Sequence, residues 1–275
     1  MKKYFFIAIL LSVASSCDVL DVKPQSSILA SEAFKDKIGI EKGILGAYST
    51  FQYLSYYGRT FLIFSDLAAD NLDHPADATA LEYRQVDNNT ILPENGSVDG
   101  IWTSLYEGIN IANNVIAKVP AMVDMTEEEK NQALGELYFI RALDHFNLVN
   151  LFGDVPLKIS PTVGTSALDA PRAPIDEVYQ QIIDDLLFAE QHLPASGPKV
   201  RAPKYAAAAL LSRVYLYHGD YALAIEKATS VIDDGGYSLP DYAEVFTDGS
   251  PVSIFEVDFT DVIPNRIAEY MFPKG

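Results

Sequence analysis

Residues that could carry catalytic or metal chemistry are few and widely spaced in this sequence. The single cysteine, Cys17, lies close to the N-terminus, and the sequence contains no Gly-x-Ser-x-Gly motif and no phosphate-binding loop. The four histidines share no spacing typical of a metal site: His74, His145, His192 and His218. We therefore predict no catalytic residue, no metal site and no cofactor.

Acidic residues cluster at three places, but none has the geometry of a general acid and base. One cluster has the residue types of a cation site, and it comprises Asp70, Asp73, His74 and Asp77. Its spacing does not match a calcium-binding loop, so we interpret it as a solvated loop. Neighbouring residues on a helix point about 100° apart. We therefore interpret the pairs Asp184-Asp185 and Asp233-Asp234 as helix surface.

Aromatic residues offer a different chemistry, because the flat face of a sugar ring can stack on an exposed aromatic ring. The chain has 16 Tyr and 14 Phe. Four tyrosines flank predicted loops and are candidates for such stacking: Tyr53, Tyr56, Tyr57 and Tyr83. The sole tryptophan, Trp102, begins the apolar face of a predicted helix, so we interpret it as a core residue.

The N-terminus has the three parts of a secretory signal peptide. Two lysines at 2–3 precede an apolar run at 4–13, and small residues at 14–16 lead to Cys17. This ending resembles a bacterial lipobox, in which the peptidase cuts before a cysteine that is then lipidated. We predict a signal peptide at 1–16 and a lipidated tether at 17–30. The alternative is an ordinary secreted protein with an incidental cysteine.

The formal net charge of -18 limits the classes of partner. Nucleic-acid binding needs basic residues that neutralise phosphates, so we predict no nucleic-acid partner. Electrostatic attachment to an anionic membrane surface is disfavoured for the same reason. An acidic surface is compatible with neutral ligands.

Helices are the main elements predicted to position these residues. Apolar residues recur at helical spacing at 31–54, 101–119, 134–152, 175–192, 205–217 and 221–232. The pattern between them predicts a short helix or turn at 61–72 and a long surface loop, with short strands at most, at 73–99. It also predicts short strands or edge segments at 237–239 and 254–257.

The segment at 134–157 is apolar on nearly every side, which predicts a central buried helix. Thr126 and Glu129 have the spacing of a capping box before it, and Gly153 marks its end. We interpret His145 on this helix as a core histidine with satisfied polar atoms.

A tetratricopeptide-like pattern marks the last predicted hairpin. Small residues and a Gly219-Asp220 turn lie between the two helices at 205–217 and 221–232. Gly153 lies 66 residues before Gly219, close to two repeats of about 34 residues. The sequence therefore predicts a mainly all-α fold with tetratricopeptide-like hairpins at about 101–234, long irregular loops and a few short strands.

Several stretches together resemble the SusD/RagB family of outer-membrane lipoproteins from Bacteroidetes. They occur in family order over nearly all of residues 17 to 257: SSCDVLDVKP, SDLAADNL, IWTSLYEGINIANNVIAKVP, ELYFIRALDHFNLVNLFGDVPL, APRAPIDEVYQQIIDDLLFAEQHLP, KYAAAALLSRVYLYHGDYALAIEKATSVID and SIFEV. The resemblance implies one SusD-like helical domain at 31–275.

The resemblance also implies a function that the composition alone does not give. Family members are lipid-anchored at the outer membrane, face outward and bind oligosaccharide, or sometimes peptide, without cleaving it. They deliver it to a SusC-like TonB-dependent transporter. The implied ligand residues lie in the loop before Trp102: Asp73, Tyr83, Arg84, Asn88 and Asn89.

This chain is shorter than usual family members, whose C-terminal part supplies much of the ligand site, and it is either an incomplete chain or a short member of the family. An alternative is therefore a lipid-anchored helical-repeat scaffold that binds only protein partners. A glycoside hydrolase would need two carboxylates roughly 5–10 Å apart across a cleft, and no pair stands out in the sequence. Titration with soluble glycan separates a glycan binder from a scaffold.

Overall fold

The computed structural model describes residues 34–162, 169–247 and 249–271. Its helices follow one another along the chain: α1 Lys37–Ser49, α2 Thr60–Ala68, α3 Leu81–Asp87, α4 Gly96–Ile116, α5 Glu127–Phe152, α6 Ile175–His192, α7 Lys204–His218, α8 Tyr221–Asp234 and α9 Ala268–Met271. Short 3₁₀ turns lie at Thr50–Gln52, Val119–Ala121 and Tyr242–Glu244. The predicted signal peptide and tether lie outside the described residues.

The predicted central helix is α5, and its boundaries follow from local chemistry. The Thr126 hydroxyl accepts a bond from the Glu129 backbone N–H at 3.2 Å, and a Glu129 carboxylate oxygen accepts from the Thr126 N–H at 2.8 Å. This capping box satisfies two backbone donors at the helix start. Gly153 follows the last turn with φ +68°. The prediction of a central helix is confirmed, because most of α5 from Ala133 onwards is buried.

The end of α5 gives a direct test of this account. Gly153→Ala is expected to lower the free energy of unfolding by about 1–3 kcal/mol, because φ +68° with ψ -128° is strained for any residue with a Cβ. The open space around Gly153 makes the cost one of backbone conformation rather than of steric contact. Urea unfolding measures it.

Gly46→Ala, inside α1 and also in open space, is the matched control. It should be neutral or stabilising, since alanine is favoured over glycine inside a helix by about 1 kcal/mol. Equal effects of the two substitutions would contradict the assigned conformation of Gly153.

The helices stack in the order of the sequence. α4 packs on α5, α5 on α6, α6 on α7, and α7 on α8, while α1 packs on α4 and α5. Gly219 turns the last hairpin in the left-handed conformation, with φ +98°. This arrangement confirms the predicted all-α fold with tetratricopeptide-like hairpins. None of the described helices is both long enough and apolar enough to cross a membrane.

Two predicted elements differ from the structure. The loop predicted at 73–99 contains α3, because Tyr83 and Val86 share one face of a helix and bury it against α2. α4 begins at Gly96, earlier than predicted, since Asn95 Oδ1 accepts from the N–H groups of residues 97 and 98.

The strands predicted at 237–239 and 254–257 are wrong. The described residues form no strand at these two stretches. The β-pairing present in the described residues is an isolated antiparallel bridge between Val155 and Ala173. Phe255 instead packs edge-on against Phe51 and Phe139, with ring centroids 6.1 and 5.3 Å apart. The apolar run at 254–257 therefore covers the helices without strand partners.

A buried ion pair joins three helices and corrects one prediction. Asp185 on α6 is 3% exposed, so it does not belong to the helix surface. Arg141 on α5 donates from Nε and Nη2 to the two carboxylate oxygens of Asp185 at 2.8 and 2.7 Å. Arg141 Nη1 also donates to Asn113 Oδ1 on α4 at 2.8 Å. Because neighbouring residues of a helix point in different directions, Asp184 is exposed on α6 while Asp185 is buried.

His145 is buried as predicted, but its polar atoms are only partly satisfied. Its Nδ1 lies 3.1 Å from the Arg141 carbonyl oxygen, whereas Nε2 has no partner among the described residues. Burial lowers the pKa of His145 to about 3. The ring is therefore neutral, with its proton on Nδ1 so that it can donate to that carbonyl.

Candidate functional site

A cavity of about 1000 Å³ lies where the predicted ligand loop meets the C-terminal segment. It is larger than two other pockets of the described residues, which have volumes of about 230 and 290 Å³. Three parts of the chain line it: Ile63 and Leu67 of α2, the segment from Leu72 to Ala80 with Tyr83 of α3, and Arg266 with Glu269.

Short-range hydrogen bonds shape the loop wall of this cavity. Asp70 adopts φ +57°, which reverses the chain after α2. The N–H groups of Asn71 and Leu72 donate back to the Asp66 carbonyl at 2.9 and 3.3 Å, and Ala78 N–H donates to Pro75 O at 2.9 Å. The segment therefore runs along the cavity as two tight turns.

Long-range hydrogen bonds hold the opposite wall. Asn265 Nδ2 donates to the Tyr57 carbonyl and Arg266 N–H donates to the Gly58 carbonyl, both at 2.9 Å. Arg266 Nε then donates to Glu269 at 2.7 Å. These contacts fix the C-terminal segment against the loop that precedes α2.

The cavity combines an apolar floor with polar groups on its walls. Ile63, Leu67 and the buried edge of Tyr83 form the floor. Asp73 and Asp77 are exposed carboxylates that can accept hydrogen bonds. The two ring nitrogens of His74 are enclosed and have no partner in the described part of the chain. A ligand with both C–H faces and hydroxyl groups suits this combination.

The structure brings only some of the predicted ligand residues to this cavity. Asp73 and Tyr83 line it, whereas Arg84, Asn88 and Asn89 do not. Arg84 lies on the exposed side of α3, and Asn88 and Asn89 form the turn that ends this helix. Their role in binding stays a prediction.

Tyr83 differs from the exposed platform that sugar stacking requires. Its side chain is 6% exposed, and its hydroxyl lies 3.3 Å from Thr60 Oγ1. Tyr56 is fully buried, stacked on Tyr57 at 4.2 Å, so the prediction of an exposed ring is wrong there. Phe51 and Phe61 also contact the Tyr56 ring edge-on, so the aromatic rings before and at the start of α2 pack on one another.

Sequence reasoning missed three of the cavity's polar groups. His74 belongs to the cluster that is interpreted from the sequence as a solvated loop, because the spacing of that cluster does not match a calcium-binding loop. Arg266 and Glu269 lie about 190 residues further along the chain, and no local pattern connects them with the loop. No group of three or more His, Cys, Asp or Glu within the described residues is arranged to hold a metal ion.

Trp102 is half-buried and lies at a separate, smaller groove. Its ring contacts Tyr106 and Phe152, and it packs against the main core as predicted. It also lines the groove of about 290 Å³ between α4 and the residues Pro156, Lys158, Thr162 and Ala170. A core role and an accessible edge therefore coexist in this residue.

Comparison with known proteins gives a consistent family relationship. Residues 18–216 match a SusD-like family described as starch-binding and associating with the outer membrane. A SusD-like protein of Formosa agariphila is 32% identical over 271 residues, which cover 94% of this chain and 53% of that protein. The chain spans about half the length of the curated relatives it matches.

Solved structures share the fold. A SusD superfamily protein from Bacteroides thetaiotaomicron superposes with a TM-score of 0.74 at 26% identity, covering 82% of this chain and 53% of the other. A laminarin-binding SusD-like protein superposes with a TM-score of 0.69 at 29% identity, covering 77% of this chain and 48% of the other.

Proposed function

Because this chain belongs to the SusD-like family of starch-binding proteins that associate with the outer membrane, we propose that it binds oligosaccharide in the cavity between α2, α3 and the segment at 265–269. The observation that carries this proposal is the position of the cavity. The loop that the family resemblance nominated forms one of its walls, and Asp73 and Tyr83 reach it.

The chemistry of the cavity favours a neutral, hydroxyl-rich ligand. Ile63, Leu67 and Tyr83 close the floor of the cavity with side chains that are almost fully buried, so the polar groups of the walls would make the main contacts with a ligand. Asp73 and Asp77 can accept hydrogen bonds from sugar hydroxyls, and the two ring nitrogens of His74 are available for hydrogen bonds to a ligand. A volume of about 1000 Å³ suits a short oligosaccharide rather than one ring.

Binding without bond cleavage is the activity we propose. The family description is one of binding, and one similar protein with a solved structure is described as laminarin-binding. Glycoside hydrolysis needs one carboxyl group held protonated opposite a second carboxylate. Asp73 and Asp77 both lie on the loop wall of the cavity, and neither side chain is buried.

We further propose that the protein acts at the cell surface. The signal at 1–16 would be removed and Cys17 lipidated, which tethers residues 31–275 to the outer membrane. The bound oligosaccharide would pass to a SusC-like TonB-dependent transporter, the partner implied by the family resemblance. The tetratricopeptide-like hairpins also suit the alternative, a scaffold for protein partners alone.

Calorimetric titration with glycans of defined linkage tests the binding site. The full chain is titrated with maltoheptaose and laminarihexaose, which represent the starch and laminarin of the relatives. Asp73→Ala combined with His74→Ala should weaken binding at least tenfold, because several hydrogen bonds of about 1 kcal/mol each are lost.

Glu82→Ala is the matched control, since Glu82 is exposed next to Tyr83 but does not line the cavity. It should leave the dissociation constant within about twofold. If Glu82→Ala weakened binding and the cavity double variant did not, the ligand would lie on the outer face of α3. Absence of heat with both glycans would favour the scaffold alternative.

A further inference from the structure

The groove beside Trp102 has a preformed aromatic floor. Trp102 and Tyr106 lie one turn apart on α4, and their ring centroids are 4.9 Å apart. Phe152 contacts the Trp102 ring edge-to-face at 5.0 Å. The Tyr106 hydroxyl donates to the Pro156 carbonyl at 2.8 Å. Both rings are therefore held in place without a ligand.

Two hydrogen-bond donors at this groove are unused within the described part of the chain. Asn110 Oδ1 accepts from Thr162 N–H at 3.1 Å, while Asn110 Nδ2 donates to no described residue. The indole Nε1–H of Trp102 likewise donates to none of them. Neither nitrogen is among the buried side-chain atoms that lack a partner in the described residues, so both are accessible to solvent and to a ligand.

We propose that this groove is a second carbohydrate subsite, which holds one pyranose ring with its C–H face on Trp102. The sugar hydroxyls accept from Asn110 Nδ2 and from the indole N–H. A volume of about 290 Å³ is at the lower end of ligand pockets, which suits a single ring. The groove shares no lining residue with the cavity at Asp73. Only the ligand class rests on the proposed function.

The fluorescence of Trp102 reports directly on this groove, because the chain has one tryptophan. The full chain is titrated with maltotriose and with laminaritriose while acrylamide quenching is measured. Acrylamide should quench the unliganded protein, and a saturating trisaccharide should reduce that quenching at least twofold. We expect a dissociation constant of about 1 mM, typical of one ring with few contacts.

Asn110→Asp is the discriminating variant, because it removes the Nδ2 donor and keeps an oxygen for Thr162 N–H. It should abolish the protection by trisaccharide. Thr103→Ala, an exposed position on the same helix outside the groove, should retain it. Circular dichroism melting confirms that each variant is folded.

The double variant Asp73→Ala, His74→Ala separates this subsite from the cavity. Protection of Trp102 should persist in that variant, and its loss would show that the signal comes from the cavity. Unquenchable Trp102 in the unliganded protein would overturn the proposal, since the groove would then be filled by the chain itself. Calorimetric binding without any Trp102 protection would refute the subsite and leave the cavity standing.

Discussion

Replacing Asp185 by alanine is expected to lower the free energy of unfolding by about 3–5 kcal/mol, the range for breaking one side of a buried ion pair. The Arg141 guanidinium donates two hydrogen bonds to the Asp185 carboxylate, and both side chains are almost fully buried. Without Asp185, the guanidinium keeps only Asn113 Oδ1 and the Ile159 carbonyl as acceptors. A buried cation without its counter-charge is strongly unfavourable.

The neighbouring Asp184 provides the matched control for urea unfolding. Asp184 is exposed, and its contact with Gln180 Nε2 at 2.8 Å lies at the surface. Asp184→Ala should therefore change stability by less than about 0.5 kcal/mol. Joint replacement of Arg141 by Met and Asp185 by Leu should recover much of the loss, because no charge then stays buried. Similar effects of the two single alanine variants would contradict the buried pair.

Replacing Asp144 by asparagine is expected to stabilise the protein increasingly as pH rises. The Asp144 side chain is fully buried, its Oδ1 accepts from the Tyr56 hydroxyl at 3.0 Å, and its Oδ2 has no partner among the described residues. Burial raises the pKa of Asp144 well above its usual range. The folded protein therefore keeps this carboxyl protonated where the unfolded chain ionises it.

The sign of the pH dependence follows from that difference in proton binding. Above pH 4 or so the unfolded chain loses the Asp144 proton and the folded protein retains it. The free energy of unfolding then falls by about 1.4 kcal/mol per pH unit until the folded carboxyl also ionises. Asparagine keeps the size and neutrality of the protonated acid, so Asp144→Asn lacks this slope.

The test compares urea unfolding of the two proteins at several pH values between 5 and 8. His145 titrates in the opposite direction, since its lowered pKa removes stability as pH falls below about 6.5. That contribution is the same in both proteins and cancels in their difference. Asp184→Asn, at an exposed position, is the matched control for the replacement of one carboxyl group. If the difference in free energy of unfolding between the wild type and Asp144→Asn did not change with pH, Asp144 would be ionised in the folded protein.

The parts of the fold that the sequence predicted well depend on short-range chemistry. The start of α5 requires only Thr126 and Glu129 three residues apart, and its end requires a residue that tolerates φ +68°. The Gly219 turn likewise joins two helices through neighbouring residues. Such signals can be read from a few consecutive residues without knowing what packs on them.

The errors arose where burial depends on a distant partner. Asp185 resembles its exposed neighbour Asp184 until Arg141, 44 residues earlier, is placed against it. Helix α3 is short and polar, and it forms because Tyr83 and Val86 meet α2. Isolated helices of this length are marginal, so tertiary packing decides their formation.

The candidate site combines both situations. The family resemblance led to the loop wall of the cavity, including Asp73 and Tyr83. It did not identify the opposite wall, because Arg266 and Glu269 reach the cavity only through hydrogen bonds to the segment before α2. The sequence also did not predict the donors at the Trp102 groove, Asn110 Nδ2 and the indole N–H. The apolar pattern of α4 does not indicate which edge of a ring is accessible.

Oligosaccharide binding in the cavity between α2, α3 and residues 265–269 is tested most directly by a nuclear magnetic resonance titration. The isotope-labelled full chain is titrated with maltoheptaose and laminarihexaose. We expect the largest changes in backbone amide chemical shift during the first, tighter binding event at residues 72–83 and 265–269, which form the two walls of the cavity. Weaker shifts around Trp102 would follow at higher glycan concentration. Shifts confined to the surface of α3 around Arg84, or no shifts with either glycan, would contradict oligosaccharide binding in this cavity.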